Sequence, residues 1–300
     1  MPIETICVRK YRCGGAFIIS RELNLCYDIE QSEKFSSREA HGEAIMKKII
    51  ALSNQKGGVG KTTTVVNLAA AFAEAGMRVL AVDFDPQGNL SSGLGIEKKK
   101  DDNTIYELLM DACTFEEAVH KSYSENLDVL TSNVNLSGLE LELLEKKNRE
   151  YVLKHCLEAV VDRYDYIFID CPPSLSLLTI NALTAATDVI IPIQCEYYAM
   201  EGLNQMLRSI KLLQMKLNPA LRINGIVFTM YDARNNLSQQ VVDSVKDVLK
   251  EYIYDTVIAR NVRVAESPSY GMPVTEYDPR STGAENYRKL AAEILMREAE

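Results

Sequence analysis

The sequence predicts a single doubly wound α/β domain, with a mostly parallel sheet and helices on both of its faces. Three observations lead there. Apolar strand-like runs recur along the chain, helical patterns separate them, and a Gly-rich turn joins the first run directly to a helix. Strands that are apolar without interruption are covered on both faces, and their alternation with helices requires parallel crossovers.

Strong periodicity begins at Met46. KIIALS (48–53) reads as the first strand, followed by the Gly-rich turn and a helix from Lys61 to Ala75, with Gly76 in a C-terminal capping position. RVLAVDFD (78–85) is a second buried strand, ended by Pro86. NLDVLTS (126–132), YDYIFIDCP (164–172), DVIIPIQ (188–194) and INGIVFTMY (223–231) supply four more. Helical stretches cover 150–163, 199–217 and 237–250. The expected organisation is a domain over 46–300, preceded at 1–45 by an extension that is either disordered or translated from a misassigned start with Met46 as initiator. Forty-five residues are marginal for an independent core.

Composition narrows the class. With 47% hydrophobic and 25% charged residues the chain is ordinary for a globular protein, and no apolar run approaches the ~20 residues of a membrane-spanning helix. No secretory signal is evident. Seven scattered cysteines without a C-x-x-C pair suggest free thiols in a reducing cytoplasm, not a disulfide frame or zinc site. A net charge of -9 excludes a uniformly basic surface while leaving room for a local basic patch.

The chemistry is concentrated in NQKGGVGKTTT (54–64). This turn sits at the carboxyl end of a strand, where open α/β sheets bind ligands. Its glycines let backbone N–H groups approach phosphate oxygens, and the following helix adds partial positive charge. Lys61 is placed to neutralise β- and γ-phosphates, and the Thr62 hydroxyl to ligate Mg²⁺. Asp170, ending YIFID, suits a carboxylate that holds the metal through water. The fold is therefore expected to be of P-loop NTPase type. The usual pattern wants glycine at position 55, which is Gln55 here, and it has no use for Lys56.

KGGVGKT resembles the deviant Walker A loop of the ParA/MinD superfamily of ATPases. DPQGNLSSGLG, DCPPSLSLLTINAL, QCEYYAMEGL and YDPRSTGAENY are similar to its chromosomal, Soj-type ParA branch, and the resemblance covers essentially 46–300. It implies that Lys56 reaches the partner subunit's nucleotide across a dimer interface. It places nucleotide contacts on Lys56, Gly57, Gly58, Val59, Gly60, Lys61, Thr62 and Thr63, with Asn261 of ARNVR at the adenine. Asp85 falls in switch I and helps position the attacking water, so Lys56, Lys61 and Asp85 carry catalysis, whereas Asp83 is expected to be structural. The family usually has proline at the position of Ala259.

The same resemblance implies that ATP and Mg²⁺ drive a homodimer that binds double-stranded DNA without sequence preference, through Arg234 and Arg263. It implies a slow ATPase stimulated by a ParB-like centromere-binding partner, and a cytoplasmic, nucleoid-associated location. Action on a replication initiator is left open. Residues 222–300 hold ten Lys/Arg against twelve Asp/Glu, so any DNA-binding patch is local. Two other classes compete: a MinD-like, membrane-cycling regulator of division-site choice, and a metabolic enzyme using the same loop. A MinD-like protein would end in a basic amphipathic helix. The tail AENYRKLAAEILMREAE has an apolar stripe but finishes Arg-Glu-Ala-Glu, and it reads as a helix packed on its own domain.

Overall fold

The computed structural model describes residues 47–97, 102–196 and 198–299, together with a two-residue antiparallel pairing of Arg12–Cys13 with Ala16–Phe17. The rest of the expected 1–45 extension lies outside the described residues. Met1–Ala44 and Ile45–Glu300 are separate units, and the second contains the sheet and its helices.

The apolar runs become strands of one seven-stranded sheet: β1 (Lys48–Leu52), β2 (Val79–Asp83), β3 (Val119–Lys121), β4 (Leu127–Leu130), β5 (Tyr166–Asp170), β6 (Asp188–Gln194) and β7 (Arg222–Thr229). Their spatial order is β3-β4-β2-β5-β1-β6-β7, parallel throughout except for the antiparallel β3–β4 edge. Six strands match the sequence expectation. The polar, three-residue β3 was not expected, because VHK is too short and too exposed to form an apolar run.

Helices cover both faces, as expected from strands buried along their whole length. They include α1 (Lys61–Glu74), α2 (Asn89–Gly93), α3 (Val152–Glu158), α4 (Leu177–Ala185), α5 (Ala199–Lys216), α6 (Asn236–Leu249), α7 (Val262–Glu266) and α8 (Thr282–Ala299). The single helix expected over 150–163 is instead a short α3 flanked by 3₁₀ turns at Arg149–Tyr151 and Val161–Arg163. The β-branched pair Val160–Val161 follows its end, where side-chain crowding weakens helix continuation.

Side-chain alternation sorts the sheet residues. Ile49, Ala51, Ile167, Ile169, Val189 and Ile191 join one core with Leu153, Leu157, Ala182, Leu203 and Met206 from α3, α4 and α5. The intervening residues, among them Ile50, Leu52 and Phe168, are buried on the other face. There the α1 ring of Phe72 packs edge-on against Tyr166 and Phe168 at centroid distances of 4.6 and 5.1 Å. Helix α8 packs on α1 and buries Tyr287, Leu290 and Ile294, so the apolar stripe of the tail is turned inward.

Register then places the site. Central β1 lies between β5 and β6, with Leu52 opposite Asp170, and Asp170 is in turn opposite Asp83 of β2. Three strand ends thus deliver a loop and two carboxylates to one crevice.

Two turns meet beside this crevice. Gly95, just beyond α2, and Gly271, in the turn beyond α7, both adopt positive φ (77° and 64°). A Cβ on Gly95 would lie 2.8 Å from the Gly271 carbonyl oxygen, so the segments meet backbone to backbone. Nearby, the Val274 N–H donates to Asn67 Oδ1 of α1 at 2.7 Å.

Beyond β7 the chain returns alongside it, with parallel bridges Ile226–Ile253 and Tyr231–Ala259. Tyr254 is buried there, its hydroxyl donating to Asn224 and its ring 4.6 Å from the Arg297 guanidinium carbon. A Cβ at Gly225 would come within 2.4 Å of that ring. Gly225→Ala is therefore expected to lower unfolding stability by about 1–3 kcal/mol, as overpacking does, read as a shifted midpoint in urea at unchanged slope.

Candidate active site

The loop from Ser53 to Gly60 leaves the carboxyl end of β1 and turns into α1. Gly58 and Gly60 have φ of 73° and 84°, a region that costs other residues strain. No side chain caps α1: its first backbone hydrogen bond runs from Thr64 N–H to the Gly60 carbonyl at 2.9 Å. The amides of Lys61, Thr62 and Thr63 therefore have no acceptor within the helix and face the loop's concavity, as an anion site requires.

Both flanks of the loop are braced by neighbouring strands. From β7, the Thr229 hydroxyl donates to the Val59 carbonyl at 2.8 Å. From the β6–α5 side, Asn54 Nδ2 donates to the Pro192 carbonyl at 2.8 Å and Gln55 Nε2 to Ser209 Oγ at 3.0 Å. The position where the ordinary pattern has glycine is thus occupied by a glutamine with a defined structural role.

The two lysines are held differently. Lys61 is only 6% exposed, and its ammonium donates to the Lys56 carbonyl at 3.1 Å. Burial lowers its pKa, against the attraction of Asp170 and Asp85. Lys56 is half-buried, and its ammonium pairs with Glu196. Its own N–H donates to Asn54 Oδ1 at 3.0 Å.

The carboxylates also differ. Asp170 is fully buried, and neither of its oxygens has a partner within hydrogen-bonding geometry. Burial first, then the charge of Asp83, pushes its carboxyl well above the usual range, against the pull of the Thr62 hydroxyl and Lys61. A buried carboxylate left unpaired is costly, and a cation beside it removes the cost. The donor set of Asp170 and Thr62, next to the open amides, fits a hard divalent ion with a phosphate. Asp85 is buried near Lys61 and Asp170 and receives the Gln87 N–H on Oδ1 at 2.9 Å. Asp83 is committed to structure, as the sequence suggested: its Oδ2 accepts from Ser91 N–H at 2.8 Å and from Ser91 Oγ at 2.7 Å.

The remaining candidates lie outside this cluster. Asn261 caps α7, its Oδ1 accepting from Arg263 N–H at 2.8 Å and Val264 N–H at 3.4 Å, so that oxygen is already used. The segment leading to it follows the end of β7 through Arg260 N–H to the Tyr231 carbonyl, 2.9 Å. Ala259 N–H donates to Asn286 Oδ1 at 3.3 Å, a bond that proline would not make. Arg234 is highly exposed and forms an ion pair with Asp232 at 3.0 Å. Arg263 is paired with Glu266 at 3.0 Å and Asp278 at 3.2 Å.

Sequence reasoning missed Glu196 and Thr229. Glu196 lies within QCEYYAMEGL, a stretch singled out for resemblance alone. Its partner Lys56 is 140 residues earlier, and no spacing rule connects them.

The family model described as an AAA domain matches residues 47–223. The chain is 55% identical over 249 residues to the sporulation initiation inhibitor protein Soj of Bacillus subtilis, a match covering 83% of this chain and 98% of that one. It is 49% identical over 253 residues to the chromosome partitioning protein ParA of Caulobacter vibrioides, covering 84% and 95% respectively. Among solved structures, cobyrinic acid a,c-diamide synthase from Mycobacterium smegmatis with bound ADP and magnesium matches with a TM-score of 0.70 at 39% identity, over 82% of this chain and 93% of that one. The cell division ATPase MinD of Pyrococcus furiosus matches with a TM-score of 0.70 at 28% identity, over 84% and 100%. Near-complete coverage of Soj and ParA at about half identity extends the likeness well beyond the phosphate loop, and the chain belongs to the Soj/ParA family of chromosome-partitioning proteins.

Proposed function

We propose that this protein is an ATP-dependent switch for chromosome or plasmid partitioning. In the ATP state it forms a sandwich dimer that binds double-stranded DNA without sequence preference, and hydrolysis to ADP and phosphate releases it. The observation that carries the reading is the division between the two lysines. Lys61 is buried within its own subunit's phosphate loop, whereas Lys56 is half-buried, pairs with Glu196 and is superfluous to a self-sufficient site.

Within the site, the amides of residues 61–63 and the Lys61 ammonium receive the phosphates. Thr62 and Asp170 hold Mg²⁺, Asp170 through water, and the ion supplies charge neutralisation on the phosphate oxygens. Asp85, buried near Lys61 and Asp170, orients the attacking water for in-line transfer. Catalysis of this kind is mostly positioning and electrostatics, so removing a distant support can leave binding intact while turnover falls. Lys56 of each subunit completes the other's site, which makes dimerisation the gate on hydrolysis. Asn261 contributes to the adenine wall through the part of its amide not used in capping.

Arg234 and Arg263 are the DNA contacts in this reading. Each is paired with a carboxylate on the exposed surface, so a DNA phosphate would replace an existing partner and the affinity per arginine would be modest. Two copies in the dimer raise it through effective concentration. A ParB-like partner accelerates hydrolysis and resets the cycle, and the working location is the nucleoid.

Three observations bear on the competing classes. The apolar stripe of α8, with Tyr287, Leu290 and Ile294, is buried against its own domain. No helix among the described residues is long and apolar enough to cross a membrane. Identity to Soj, at 55%, also exceeds the 39% to the synthase-named neighbour, which supports partitioning over a metabolic role.

Lys61→Ala should weaken ATP binding by roughly 100-fold in titration calorimetry, the loss of one charged phosphate contact. Lys56→Ala should bind ATP as the wild type does and remain monomeric with a slowly hydrolysed analogue; a normal dimer by sizing chromatography refutes the sandwich. Arg263→Glu should dimerise normally yet bind DNA more weakly, with the log–log salt slope reduced by about two, one phosphate contact per subunit.

A further inference from the structure

We infer that Thr229, at the end of β7, is a positioning residue for the phosphate site. Its hydroxyl selects the orientation of the Val59–Gly60 peptide, so that the Gly60 N–H joins the open amides of Lys61, Thr62 and Thr63. The inference rests on the reading of residues 54–64 as a nucleotide phosphate loop.

Sequence alone leaves this peptide free to face either way. Glycine takes φ of either sign about equally readily, so Gly60, at φ 84°, does not itself fix the choice. One orientation adds an N–H to the anion site, and the other aims a carbonyl oxygen at the phosphate and repels it. The choice is made from β7. Thr229 is buried, and its hydroxyl donates to the Val59 carbonyl at 2.8 Å across 170 residues of sequence. Its side chain also lies over Gly60, where a Cβ would meet the Cβ and Cγ2 of Thr229 at 3.7 Å. Hydroxyl and methyl thus act on one peptide unit. In a trans peptide, which this is, the carbonyl and the following N–H point in opposite directions. Tying the Val59 oxygen to β7 therefore turns the Gly60 N–H away from β7. The Gly60 carbonyl is left to receive the Thr64 N–H at 2.9 Å, where α1 begins.

Thr229 is itself held by an uncommon backbone. The next residue, Met230, has a φ of 50°. Among the described residues the other non-glycine positions with positive φ are Asp111 and Asn148, whose short polar side chains tolerate that region. Met230 has no such excuse, and the chain that returns beside β7 imposes the conformation. The Ile258 N–H donates to the Phe228 carbonyl at 2.8 Å, and the Ile258 carbonyl accepts the Tyr231 N–H at 3.0 Å. Arg260 N–H then donates to the Tyr231 carbonyl at 2.9 Å. Bonds on both sides of residues 229 and 230 fix the backbone, and the branched Thr229 side chain has a stiff first torsion. Strain that is over-determined in this way beside a ligand loop serves to hold one group in one place.

The test reads the dissociation constant of the full chain for ADP with Mg²⁺ by titration calorimetry; ADP keeps dimerisation out of the measurement. Thr229→Val keeps the branched shape, removes the donor and should weaken ADP by about three- to ten-fold. Thr229→Ser keeps the hydroxyl and should restore most of that loss. Met230→Val leaves the hydroxyl in place but makes the left-handed backbone costly, and it should weaken ADP by about two- to five-fold. In protein carrying isotope-labelled glycine, the Gly60 amide resonance should move on saturation with ADP in the wild type and in Thr229→Ser, and far less in Thr229→Val. Wild-type affinity or an unchanged Gly60 response in Thr229→Val overturns the proposal, as does a loss in Thr229→Ser equal to that in Thr229→Val. If Thr229→Val does not fold, Met230→Val decides, and wild-type affinity in it overturns the proposal. Lys61→Ala separates the two readings. If it binds ADP as the wild type does, the phosphate-loop reading fails and the positioning role with it; if it is weakened while Thr229→Val is not, only the positioning role fails.

Discussion

The rest of the site depends on one constraint: a helix that starts without a cap. Helix α1 opens at Gly60 in a left-handed conformation, and no side chain satisfies its first amides. Most helices meet those donors with Ser, Thr, Asp or Asn, and here the task is left to a ligand. Everything around the loop serves to keep that opening in shape. Central β1 aims the chain, β7 holds Val59 through Thr229, and the β6–α5 corner holds residues 54–56. Without these braces a loop with two left-handed glycines would collapse onto its own amides or sample many shapes, and the site would lose its preorganisation.

Asp170 adds a second unmet requirement on the opposite wall. A buried carboxyl with a raised pKa holds its proton to higher pH than the unfolded chain does, which favours the fold until the group ionises and is a cost thereafter. That part of stability is lost as pH rises from the unfolded pKa through the raised folded one. The neighbouring cation Lys61 offsets it only in part, because Lys61 is itself desolvated. Unmet donors on one wall and an unmet acceptor on the other are what a magnesium–phosphate pair satisfies together. In the proposed site, such a pair would relieve both costs at once.

The sheet was legible in the sequence because buried parallel strands are written as unbroken apolar runs, and six of the seven appear that way. The phosphate loop was legible because Gly, Lys and Thr are each required there for a separate physical reason, at fixed spacing. What failed to register depends on tertiary contact. The edge strand β3 is three residues long and carries no apolar signature. The helix expected over 150–163 is cut to α3, with the β-branched pair Val160–Val161 just past its end. Thr229 and Glu196 act on the loop from 170 and 140 residues away, and neither residue type announces such a role. Arg234 and Arg263 could be placed by motif, yet only the structure reveals that acidic neighbours already occupy them.

The contact between Gly95 and Gly271 has a mechanical consequence. Where side chains separate two segments, rotamer changes absorb small shifts before they travel further. Two touching backbones have no such cushion, because packed main chain is close to incompressible. The stretch that leads from Asp85 through α2 and the turn beyond α7 behave there like two gear teeth in mesh. A displacement of one either drives the other or separates the pair, and any residue larger than glycine would hold the teeth apart.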